Sequence, residues 1–213
     1  MNKIEIQTIP VSKGYEEDCF IIDGIPLHEW IKAAYNEAMA SELLPDDLAI
    51  TWDAAFDNDG DARFMRALLD MERLNIPILS CPDDLDFTCT VIVADIEKTE
   101  SCVRWKRIGR ISGQADRKAE KEHGILFVDA YTEDDWKKYR DLVFMTVDSS
   151  EWLEWISENW SEELYRRRMN YTYPFYQDND NIQWIYECDW CFDRNEYDKL
   201  VSSCRPRWWM DRS

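Results

Sequence analysis

Apolar and polar residues alternate from Ile4 to Ile9, which predicts a β-strand with one buried face. The apolar run Cys19-Phe20-Ile21-Ile22 stops at Asp23-Gly24, a dipeptide that accepts the left-handed backbone of a two-residue hairpin. Ile25-Pro26-Leu27 makes the short return. Leu27, Trp30, Ile31, Ala34 and Ala38 then recur at helical spacing, and Leu48 to Trp52 reads as a short strand after the Pro45-Asp46-Asp47 turn. Between Asp61 and Leu74, the side chains of Phe64, Ala67, Leu68, Met71 and Leu74 share one helical face. Asn75 and then Pro77 are expected to end that helix as C-cap and breaker.

The middle of the chain reads as β. Phe87 to Ala94 is apolar and β-branched, Cys102 to Ile108 partly alternates, and the polar stretch Asp95 to Ser101 lies between them. The pattern predicts an antiparallel hairpin with Val103 and Trp105 on one face. Ile125 to Val128 reads as a further strand and Asp134 to Leu142 as a helix. Asp148 to Arg168 carries the strongest helix pattern. Asp148 and Glu151 fit a variant of the capping box, and Arg166-Arg167-Arg168 suit the negative end of the dipole. Trp152, Ile156, Trp160 and Leu164 form a stripe, with Leu153 alongside, that is expected to face the core. Ile182 to Trp190 predicts a late strand and Asn195 to Ser203 a last helix. The sum is an α+β fold, a mainly antiparallel sheet with several amphipathic helices packed on it. No Pro/Gly/Ser-rich linker, repeat or low-complexity stretch divides it, so residues 1–213 are read as one acidic domain.

Charge narrows the functional classes. The chain holds 44 Asp+Glu against 25 Lys+Arg, a net charge of −19, together with 11 Trp, 10 Tyr and 8 Phe. A hydrophobic fraction of 45% is that of a folded chain, so the acidity is not the signature of disorder. Such a surface repels nucleic acid and anionic membrane and attracts cations. Solubility alone asks for a net charge of roughly 2–8 in magnitude, so a cationic partner is implied. Acid is densest at Asp57 to Asp61, Asp83 to Asp86, Glu133 to Asp135 and Glu151 to Glu163. One stretch, Arg104 to Lys121, is basic. There is no apolar run of transmembrane length, and the N-terminus lacks the apolar core of a signal peptide. A cytoplasmic location, with the seven cysteines as reduced thiols, is the expectation.

Candidate chemistry is sparse. The only two histidines are His28 and His123, which leaves little room for nucleophile–histidine–acid schemes, and His28 at the start of a helix reads as structural. No glycine-rich phosphate loop is present. Asp57-Asn58-Asp59-Gly60-Asp61 opens like a calcium loop, but its glycine comes fourth and Leu68 stands where the bidentate Glu belongs, so it reads as an acidic turn before the next helix. Cys188-Asp189-Trp190-Cys191 is a C-x-x-C. With Cys81 and Cys89 it would supply four thiolates to a structural zinc, although residues three apart on a strand face opposite ways. No catalytic residue and no cofactor are assigned.

The segments Phe20-Ile21-Ile22-Asp23-Gly24 with Leu27 and Trp30, Pro77-Ile78-Leu79-Ser80-Cys81 with Cys89, Val103-Arg104-Trp105 running into Arg107-Ile108-Gly109, and Trp190 to Tyr197 occur in that order. Together they resemble a family of small bacterial proteins, some of which are thought to be immunity proteins for polymorphic toxins. The resemblance implies a single α+β domain that binds a protein, with no known catalysis. An acidic inhibitor can occupy the cationic substrate cleft of a toxin nuclease with fast, salt-sensitive association. The leading expectation is therefore an immunity or inhibitor protein with a basic cognate toxin as partner, without nucleic acid or membrane. The alternatives are a DNA mimic that blocks a defence enzyme, and an enzyme with a carboxylate or metal site. The expected contact residues are Asp83, Asp84 and Asp86, in a turn between helix and strand, and then Asp189 and Trp190.

Overall fold

The computed structural model describes residues 1–10, 16–34, 48–52, 56, 59–81, 87, 89–113 and 149–204. Asp23 and Gly24 both take positive φ, 52° and 81°, as a two-residue type I′ turn requires. The turn joins β2 (Glu16–Ile22) to the two-residue β3 (Ile25–Pro26), and β2 pairs along its whole length with β1 (Ile4–Pro10), all antiparallel. Phe20 and Ile22 leave β2 on its buried face. The chain enters α1 (Leu27–Ala34) directly from β3, and α1 buries Leu27 and Ile31 one helical turn apart.

A second, five-stranded antiparallel sheet runs in sequence order: β4 (Ala49–Ile50), β5 (Arg73–Ser80), β6 (Val91–Lys98), β7 (Cys102–Ile111) and β8 (Ile182–Asp193). Further helices are α2 (Asp59–Asp70), α3 (Ser150–Arg167) and, through one π-helical turn at Arg168–Thr172, α4 (Tyr173–Gln177). A 3₁₀ turn at Asn179–Asn181 leads into β8. The last helix, α5 (Arg194–Ser203), is N-capped by Asp193, whose carboxylate accepts from the backbone N–H groups of Asn195 and Glu196. This is the expected α+β fold with a mainly antiparallel sheet. Among the described residues, no helix is long and apolar enough to cross a membrane.

Two expectations fail locally. The helix through Leu74 ends at Asp70, and Leu74, Asn75 and Pro77 belong to β5 in the interior of the sheet. Pro77 is tolerated there because the register slips between Pro77 and Leu79, so its missing N–H falls at an irregularity of the ladder. Its carbonyl accepts from the hydroxyl of Thr51 and the indole N–H of Trp52, which ties β4 to β5. The hairpin of β6 and β7 forms as expected but further along. β6 starts at Val91 and continues through Asp95 and Glu97 to Lys98. Those two acids fit a strand because cations from both neighbouring strands meet them. Asp95 bonds Arg107, and Glu97 bonds both Arg73 and Lys106. The strand expected at Ile125 to Val128, the helix at Asp134 to Leu142 and the Asp148 cap lie outside the described residues.

Trp105 on β7 is fully buried at the centre of an aromatic group. Phe20, Trp52 and Phe192 meet it edge-on, with ring centroids 5.7, 5.9 and 5.6 Å away, and its indole N–H donates to the hydroxyl of Tyr197 at 3.1 Å. A second group, Phe56, Phe64, Phe87 and Tyr176, packs α2 and α4 together. Gly109 on β7 has to lack a side chain. A Cβ there would stand 2.5 Å from the Ile182 methyl and 2.9 Å from the Trp184 ring.

Candidate acidic docking face on the third helix

α3 rotates differently from its expected stripe. Trp155 is fully buried and Leu164 nearly so, but Trp160 is 36% exposed and Leu153 52% exposed. The side chains of Trp152 and Ile156 lie outside the description. The inward face is set by an ion pair rather than by the aromatic stripe. Glu163 and Arg167 are both buried one turn apart, and the Arg167 Nε donates to Glu163 at 2.9 Å. Next to them, Arg168 donates to buried Asp61 of α2 at 2.6 Å, and Arg63 of α2 bonds Glu162. A buried charge is tolerable only with its partner, so these pairs fix which side of α3 faces the protein.

At 100° per residue, Glu154, Glu158 and Glu151 fall on the side of α3 away from the Glu163–Arg167 pair, whereas Trp160 and Leu153 fall about 20° and 40° from Arg167, with Ser157 between the two groups. Two large apolar side chains and three carboxylates are thus exposed in an arc over adjoining sides of one helix. Trp160 also lies 5.8 Å from the Arg167 guanidinium, a cation–π contact that holds its ring. Glu162 closes the arc as part of an acid–base net. Burial works against its charge, but hydrogen bonds from Arg63 and Arg166 outweigh it and hold its carboxyl below the usual range.

The expected contact residues separate. Asp83, Asp84 and Asp86 lie outside the described residues. Asp189 is on the surface, its side chain 74% exposed, whereas Trp190 is only 5% exposed and packs on Trp30, Trp105 and Tyr186. Trp190 is a core residue. Cys188 and Asp189 together oppose Lys106, since the register of β7 and β8 jumps from Trp105–Trp190 to Arg107–Glu187. This bulge puts Asp189 at φ 49°, in the left-handed region, and aims it at Arg104 3.5 Å away.

The basic stretch does not form a cationic surface where it is described. Arg104 pairs with Asp189, Lys106 with Glu97, and Arg107 with Asp95 while stacking 3.7 Å over Trp184.

The cysteines correct two expectations. Cys102 and Cys191 form a disulfide, with Cα atoms 6.2 Å apart, so the thiols are not all free. The register makes this possible. Arg104 opposes Cys191 and Cys102 opposes Asp193, which leaves the two cysteines as diagonal neighbours on one face. The zinc set of Cys81, Cys89, Cys188 and Cys191 is not assembled. Cys191 is bonded to Cys102, Cys188 donates to the Trp105 carbonyl, and Cys81 lies just past β5 at the opposite end of the sheet. Among the described residues, no three metal-ligating side chains converge.

One constellation is new. The hairpin register pairs Ile22 with Ile25 and Ile21 with Pro26, and its continuation sets Cys19 across from His28. The Cys19 Sγ stands 3.8 Å from His28 Nδ1, and the other ring nitrogen of His28 lies 3.1 Å from the Glu29 carboxylate. His28 stands in the first turn of α1, as expected, with its ring between Cys19 and Glu29. The signal was present in the sequence, because a two-residue Asp-Gly turn fixes every pairing of its hairpin.

Comparison with protein-family models, curated proteins and solved structures returns no match for the chain.

Proposed function

We propose that the protein binds a cationic protein partner through the exposed arc of α3, in the manner of an immunity or inhibitor protein that neutralises a basic toxin. The carrying observation is that Trp160 and Leu153 stand exposed on the same helix as Glu151, Glu154 and Glu158. Interfaces are built from a few aromatic or aliphatic anchors that leave water, ringed by charges that steer the approach. α3 carries both on adjoining sides, on a chain with a net charge of −19. Association is therefore fast at low salt and falls steeply as ionic strength rises.

The internal pairing of Arg104, Lys106 and Arg107 supports the same reading, because it leaves the acidic excess undiminished by a basic patch on β7. Asp189, raised on its bulge, is a second contact point, and Arg104 beside it competes with any incoming cation.

The test is affinity for the captured partner. Glu154→Lys with Glu158→Lys slows association, and Trp160→Ala speeds dissociation, each by tenfold or more, on the order of 1.4 kcal/mol or above. Undiminished affinity in both variants would remove α3 from the interface.

A further inference from the structure

We propose that Cys19 is a reactive thiol, that His28 is its general base, and that it forms mixed disulfides with small disulfides of the glutathione type. This reading is independent of partner binding on α3. Cys19 lies on β2 and is partly exposed, so a small, flexible disulfide can reach the sulfur. His28 Nδ1 is 3.8 Å from the sulfur, and the Glu29 carboxylate, 3.1 Å from Nε2, holds the ring and favours the imidazolium that forms. The backbone N–H groups of Leu27 and His28, in the first turn of α1, favour the charged form of the sulfur. The arrangement contains a nucleophile, a base, an orienting acid and donors for the anion.

Cys19 rests as the thiol. Burial pushes the Cys19 thiol up, against the two backbone hydrogen bonds, and Glu17 on the same strand adds to the rise. The thiol donates to the Phe20 carbonyl in this state. The other groups around the pair are Gln7, which opposes Cys19 on β1 and bonds Glu5, and Lys32 on α1, which lies 3.7 Å from Glu29. Proton transfer to His28 accompanies attack. As the Cys19 sulfur bonds to one sulfur of the incoming disulfide, the Cys19 proton passes to Nδ1 and the disulfide's own S–S bond breaks. The departing thiolate takes the proton back from His28. One thiol and one disulfide become one mixed disulfide and one thiol, with no external oxidant.

The experiment exposes the intact protein to glutathione disulfide across the imidazole titration, about pH 5 to 8, and follows each cysteine by peptide mass spectrometry. Exposed Cys89 is the internal reference, and Cys19→Ser confirms the assignment. With a histidine as base, the Cys19 rate is expected to rise and then level off within this range instead of climbing throughout with thiol ionisation. His28→Gln is expected to slow Cys19 about 100-fold without changing Cys89, and Glu29→Gln to slow it less. A Cys19 rate that rises steadily across the range, or a folded His28→Gln protein that reacts as fast as the wild type, would overturn the proposal. If His28→Gln unfolds, Cys19 becomes exposed and reacts faster, and the wild-type pH profile then decides alone.

Discussion

Asp61 and Arg168 meet as a buried ion pair, Oδ1 to Nε at 2.6 Å, and lock the first turn of α2 to the π-helical turn that follows α3. Arg168 reaches over Phe87 as well, at 5.7 Å from the ring centre, so the pair sits on the aromatic group beneath the two helices. Removing either partner strands a charge. Asp61→Asn or Arg168→Met is expected to cost about 3–5 kcal/mol, and Asp61→Leu with Arg168→Met to recover most of it. Urea unfolding midpoints of the three variants check this.

Trp105 and Tyr197 make a second buried tie, from β7 to α5. Tyr197→Phe leaves the Trp105 N–H without its acceptor and is expected to lower stability by about 1–3 kcal/mol. Burial also pushes the Tyr197 hydroxyl far above the ordinary tyrosine range, against the bond from Trp105. Its tyrosinate absorbance should therefore appear only together with unfolding in an alkaline titration followed by circular dichroism.

Asp23 holds the N-terminal strand. Its carboxylate accepts from the Lys3 backbone N–H at 2.7 Å and from the Asn2 amide at 2.6 Å, and these bonds lower its pKa. A lowered folded value means that the stabilisation is present above the unfolded value of about 3.9 and is lost as pH falls through the folded one. Wild-type stability should fall over that acid range more steeply than that of Asp23→Asn, which keeps a residue tolerant of the left-handed turn. Parallel slopes would show that Asp23 contributes nothing to the acid limb.

The elements that were legible in the sequence are those whose signals are local. Asp23-Gly24 specified the first hairpin, and the final helix expected over Asn195 to Ser203 is α5. β5 was obscured because Leu74 falls in phase with the apolar face of α2, and because Pro77 looks like a breaker unless the irregularity beside it is known. The rotation of α3 was obscured because hydrophobic patterning counts Glu163 and Arg167 as solvent-facing. In the fold they neutralise each other in the interior. The Cys102–Cys191 bond spans 89 residues and depends on the register of β7 and β8, which no local pattern sets. The exposed arc on α3 follows from that same rotation, so it was no more legible than the buried pair that sets it.

Asp189 separates folding from binding. A non-glycine residue at φ 49° carries backbone strain, and Asp189→Gly relieves it. The variant should gain up to about 1 kcal/mol in stability while binding the partner more weakly. Thermal melting and an affinity measurement on the same preparation read both effects. A variant that gains stability and keeps its affinity would take Asp189 out of the contact.

The central claim is salt-sensitive capture of a basic protein by α3. The direct measurement passes extract of the native host over immobilised wild-type protein and over Glu154→Lys/Glu158→Lys at low salt, then elutes with high salt and identifies the eluate by mass spectrometry. The account predicts one basic protein retained by the wild type, released by salt, and largely missing from the variant column. A partner held equally by both columns, a partner that high salt does not release, or an empty wild-type eluate would contradict it.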